Sequence, residues 1–101
     1  MNITKTLEDG ILKLVISGRL DTATAPRLQE VLIPAFDEAN EILLDFSELA
    51  YVSSAGLRVL LTGHKTAKSK GAFMKLSGVS EDVMEVLDMT GFSDMLTIVR
   101  Q

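Results

Sequence analysis

Ser53 and Ser54 stand side by side ahead of Ala55-Gly56-Leu57, and the residues that follow place apolar side chains at helical spacing. Serines at the mouth of an amphipathic helix have two chemistries open to them. A hydroxyl there accepts a free backbone N–H and caps the helix. The same free N–H groups and the positive end of the helix dipole also favour an added phosphate, so a serine in this place suits phosphorylation. Gly56 falls in the first turn, where it is either a tolerated glycine or an opening for a partner's backbone to come close.

Little else in the chain is arranged for chemistry. A hydrolase needs a nucleophile, a base and an orienting group. The one histidine, His64, falls on or beside the apolar face of a helix and reads as a packing or surface residue. With no cysteine there is no disulfide, thiolate nucleophile or cysteine metal site. No phosphate-binding glycine loop, dinucleotide fingerprint or metal-ligand cluster is present. Asp45 lies inside a strand without acidic neighbours, which argues against a phospho-acceptor aspartate. The residues thus point to no catalytic, cofactor or metal site, and to a protein that is not an enzyme.

Composition narrows the partners. The 101 residues suit one domain, 1–101, and 47% hydrophobic residues suffice for a core. The net charge of −4 and an aromatic content of 5% argue against direct nucleic-acid binding. No apolar run reaches the length of a membrane span or signal peptide, so a cytoplasmic protein without membrane insertion is expected.

The elements that must position the serines follow from patterning. Asp9-Gly10 between residues 2–8 and 11–17 predicts a tight hairpin, and the second run is apolar enough to suggest a strand covered on both faces. Gly18-Arg19-Leu20-Asp21 is expected to break that strand and lead into a helix capped by Thr22 or Thr24. Ala25, Leu28, Val31, Leu32 and Ala35 give the helix its buried stripe, with Pro34 ending or kinking it near Leu32. Residues 41–46 predict a buried strand, and a loop through Tyr51-Val52 feeds a helix over 55–68 carrying Leu57, Leu60 and Leu61 inward. Gly71 stops it, beyond Lys65, Lys68 and Lys70. A strand over 72–76, a helix from a Ser80 cap through Val83, Val86 and Leu87 to Gly91, and a strand over 96–99 complete the chain. The fold class is α/β: a mixed, mostly parallel sheet with an N-terminal antiparallel hairpin strand and packed helices.

The stretch Asp45-Phe46-Ser47, then Tyr51-Val52, then Ser54-Ala55-Gly56-Leu57 resembles the signature of STAS domains, found in bacterial anti-sigma-factor antagonists and in stressosome and transporter modules. Gly18-Arg19-Leu20-Asp21 is similar to the family's glycine-x-leucine-aspartate turn, and Leu87-Asp88-Met89-Thr90-Gly91 to its late element. The resemblance implies a STAS-like sheet and a phosphoprotein that acts in transcription regulation through protein–protein interaction. It places the phosphorylated residue at Ser54, with Ser53 the second candidate because it stands where the family usually has aspartate. It places the partner surface at Asp21, Ser53, Ser54, Ala55, Gly56 and Leu57. The implied partners are an anti-sigma factor with serine-kinase activity, which phosphorylation releases, and a serine phosphatase that resets the switch. Many members continue into another helix after the last strand, so self-association through an uncovered edge or patch is a further expectation. The alternative is an unswitched STAS subunit docked on a partner such as a transport ATPase, with Ser54 only a cap or contact.

Overall fold

The computed structural model describes residues 1–99. It opens on the expected hairpin: β1 (Asn2–Glu8) pairs antiparallel with β2 (Ile11–Leu20). Asp9 and Gly10 form the turn with φ of 54° and 79°, the left-handed pair whose twist matches that of the flanking strands. From β2 on the chain alternates: α1 (Ala25–Ala35), β3 (Glu41–Val52), α2 (Ser54–Lys70), β4 (Phe73–Ser77), α3 (Glu81–Thr90), α4 (Phe92–Met95) and β5 (Thr97–Ile98).

The sheet order is β1-β2-β3-β4-β5, parallel after the first pair. Because the order never reverses, right-handed crossovers put every helix on the same face. Burial agrees: Leu12, Ile42 and Met74 lie in register on the covered face, as do Leu14, Leu44 and Leu76. The opposite face carries ion pairs between neighbouring strands, Lys13 with Asp45 at 3.6 Å and Lys75 with Glu41 at 3.4 Å, and leaves Phe73 exposed. The apolar run of β2 is therefore buried on one face only, which corrects the expectation of two covered faces.

Several boundaries also move. β2 does not break at Gly18. Gly18 takes φ +92° within a register shift, and pairing with β3 resumes at Arg19–Tyr51 and Leu20–Val52. β3 runs six residues past the expected end at Phe46, because this extension pairs with the tail of β2. α1 continues through Pro34 to Ala35 rather than stopping near Leu32. A proline this close to the C-terminus loses only one late hydrogen bond, while buried Leu32, Ala35 and Phe36 hold the last turn on the core. On α2 the buried stripe includes Val59, Gly63 and Ala67, and Leu61 is only half-buried. The short α4 after Gly91 is an addition to the expected order.

Candidate functional site at the start of helix α2

The tail ends of β2 and β3 meet the first turn of α2 at one end of the molecule. The backbone N–H of Ser53 donates to the Leu20 carbonyl at 2.8 Å, which fixes the helix start against the end of β2. Tight packing completes the join. A Cβ on Gly56 would lie 2.7 Å from Leu20 Cγ and 3.0 Å from Val52 Cγ2, so no other residue fits there without displacing both strands' last buried side chains. The bareness of Gly56 serves the chain's own interior.

The two serines divide the chemistry between them. Ser53 is the cap: extended at φ −98° and ψ 175°, half-buried, its Oγ accepts the Gly56 N–H at 3.4 Å. Ser54 is the first helical residue. It is exposed, and its hydroxyl makes no hydrogen bond among the described residues. The first turn contains no acidic side chain, so the positive end of α2 carries no neutralising charge of its own.

Asp21 follows Leu20 directly and organises the loop into α1. Its Oδ1 accepts the N–H groups of Ala23 and Thr24, each at 3.1 Å, and its own N–H donates to Thr24 Oγ1 at 2.9 Å. The Thr24 hydroxyl donates back to the Arg19 carbonyl at 2.8 Å. The Thr24 N–H, above all, holds the Asp21 carboxyl below its usual range, against a smaller opposing effect of burial; the Thr24 hydroxyl, the Ala23 N–H and the Arg19 charge assist. Arg19 Nε stands 3.9 Å from Asp21 Oδ2, and its guanidinium stacks 4.2 Å over the Tyr51 ring. Thr24, anticipated as a helix cap, uses its hydroxyl in this loop instead.

Of the residues expected on a partner surface, Ser54 stands outermost, and Asp21, Ser53 and Ala55 are half-buried. Gly56 and Leu57 turn inward and are buried, so they shape this end of the molecule from beneath. Arg58 was missed. It is exposed one turn beyond Ser54, and the i, i+4 spacing was the signal available for it. Arg58 and Ala55 line a groove of about 780 Å³ between α1 and α2, together with Val59, Ala25, Ile33 and Glu30. His64 is half-buried farther along α2, and no cluster of metal-ligating side chains occurs among the described residues.

Comparison with known proteins identifies the family and the fold. A family model for the STAS domain matches residues 2–101. The chain belongs to the STAS domain family. It is 28% identical over 98 residues to a Bacillus subtilis (strain 168) protein named anti-sigma-B factor antagonist, covering 97% of this chain and 90% of the relative. The fold matches that of an anti-sigma factor antagonist from Mycobacterium paratuberculosis with a TM-score of 0.88 at 18% identity, covering 99% of this chain and 86% of the other. It also matches the Bacillus cell fate determinant SpoIIAA in its phosphorylated form, with a TM-score of 0.74 at 14% identity and coverage of 99% and 93%.

Within this STAS domain the signature residues serve the fold as well as the site. Phe46 is fully buried, and the Asp45 carboxylate accepts the Ser47 N–H at 2.9 Å. Burial pushes the Asp45 carboxyl up, but hydrogen bonds from Ser47 and the Lys13 charge outweigh it, leaving the group below its ordinary range. In the late element Leu87 is fully buried, and the Thr90 hydroxyl donates to the Val86 carbonyl at 2.8 Å where α3 ends. No helix among the described residues is long and apolar enough to cross a membrane.

Proposed function

We propose that this STAS domain is an anti-sigma-factor antagonist whose binding is switched off by phosphorylation at Ser54. The relatives named anti-sigma-B factor antagonist support the regulatory, non-enzymatic binding role, and we place its action in the cytoplasm. The observation that carries the switch is the division of labour at α2: Ser53 spends its hydroxyl on the cap, while Ser54 presents a free one to solvent.

The anti-sigma factor is both partner and kinase. It transfers the γ-phosphoryl group of ATP to Ser54 Oγ, the hydroxyl proton leaves, and ADP is released. A serine phosphatase later hydrolyses the ester to serine and inorganic phosphate. Asp21, Ser53 and Ala55 flank Ser54 on the contact surface, and Gly56 and Leu57 hold that surface in shape. The phosphate brings nearly two negative charges to a helix end that tolerates them, so the fold persists. In a close interface the same charge adds repulsion and desolvation costing about 1.4–3 kcal/mol, a tenfold to more than hundredfold loss of affinity. Transcription is regulated through the released or captured partner, without direct contact to nucleic acid.

The test is intact-mass analysis after incubation with ATP and the anti-sigma factor kinase co-purified from the native host. One added phosphate is expected, absent in Ser54→Ala and retained in Ser53→Ala. Ser54→Asp should weaken partner binding by tenfold or more in a titration while the far-ultraviolet spectrum stays unchanged. An unmodified chain under every growth condition, stably co-purifying with an ATPase, would replace this reading with the unswitched subunit.

A further inference from the structure

We propose that Arg58 is the intrachain counter-ion of a phosphorylated Ser54, and that drawing it onto the phosphate removes the one cation that lines the α1–α2 groove among the described residues. The inference rests on Ser54 as the modified residue and adds how the modification reaches beyond its own position.

Ser54 and Arg58 are separated by one helical turn on α2, both exposed. Positions i and i+4 lie on one face, and the anion N-terminal to the cation is the favourable order. Long helical side chains lean toward the helix N-terminus, so the surface that Arg58 sweeps lies over the turn that contains Ser54. Its planar, permanently charged guanidinium can meet two phosphate oxygens at once.

Competition for Arg58 is weak. The carboxylate sharing its groove is Glu30 on α1, yet the two form no ion pair among the described residues. Arg19, the neighbouring cation at this end, already stacks on Tyr51 and faces Asp21. Besides Arg58 on the same helix, this end of the molecule carries Glu30 across the groove and the Arg19–Asp21 pair after β2.

The consequence reaches the groove. Unmodified, its walls carry Glu30 and Arg58 over an apolar floor that includes Ala25, Ile33, Ala55 and Val59. With Arg58 held on the phosphate, Glu30 is the charged lining residue that remains among the described residues. A partner that reads the balanced pair therefore meets a net negative groove as well as a new dianion at its edge. One covalent event alters two adjoining patches.

The experiment installs phosphoserine at position 54 of the full chain by genetic encoding and follows its second ionisation by phosphorus NMR. An adjacent cation favours the dianion and lowers the midpoint. Arg58→Gln should raise the midpoint by about 0.1–0.4 pH unit relative to the unsubstituted phosphoprotein, Arg58→Lys should restore part of the shift, and 1 M salt should shrink it. Coincident midpoints for the unsubstituted and Arg58→Gln chains would overturn the proposal. Since no kinase is used, that failure is separate from failure of the switch, which the mass analysis reads. A shift seen in a chain that no kinase modifies would leave the Arg58 pairing standing and the switch refuted.

Discussion

Helices α2 and α3 begin alike and diverge within one turn. Ser53 and Ser80 are both extended caps, accepting the N–H three residues on, from Gly56 at 3.4 Å and from Val83 at 3.3 Å. After Ser80 come Glu81 and Asp82, which complement the positive helix end, and Val83 goes into the core. After Ser53 come Ser54, Ala55 and Gly56, with no charge and almost no bulk. One helix supplies its own anion. The other leaves the place open and keeps a second hydroxyl in it. The same cap therefore supports a purely structural start in α3 and a start in α2 that can accept a negative group from outside.

Substitutions can test whether the difference is confined to the ends. The largest expected effect should not discriminate at all: Leu60 under α2 and Leu87 under α3 are both fully buried, and either change to alanine should cost about 2–5 kcal/mol in chemical denaturation. A much smaller loss at Leu60 would mean that α2 is less firmly seated than α3. Next comes Gly56→Val, which forces a branched side chain against Leu20 and Val52 and should cost about 1–3 kcal/mol. A neutral outcome would free Gly56 for a direct contact role.

Ser53→Ala and Ser80→Ala should each lose about 1 kcal/mol, since each deletes one cap. A negligible loss at Ser53 together with a clear loss in Ser54→Ala would exchange the roles assigned to the two serines. The smallest effect concerns acid. Asp21 is held below its ordinary 3.8 by the Thr24 N–H first of all, so its contribution is present above that pH and fades as the pH falls through the lower folded value. Asp21→Asn should therefore flatten the decline of stability below about pH 4, read as the slope of denaturation midpoint against pH. An unchanged slope would show that the loop does not depend on the ionised carboxylate.

Much of this arrangement was legible in the residues. Asp9-Gly10 announced the hairpin, the spacing of Ala25, Leu28, Val31, Leu32 and Ala35 announced α1, though Val31 is only half-buried, and Ser80 and Gly91 bracketed α3 as expected. Resemblance to the family pattern directed attention to Ser54 and Asp21. What escaped were features that depend on two segments at once. The extension of β3 through Tyr51 carries no strong strand pattern and exists because the bulged tail of β2 offers it a partner. Arg58 gained meaning only when its place beside Ser54 and above a groove was known.

The sequence by itself determined local matters: turn chemistry, helix periodicity and the adjacent hydroxyls. These follow from the backbone preferences and side-chain chemistry of neighbouring residues, which need no distant contact. Only the tertiary structure decided which serine is spent and which is free, and that Gly56 faces inward. Those outcomes hinge on Leu20 and Val52 arriving from separate strands to press on the first turn of α2, a meeting that no single segment encodes.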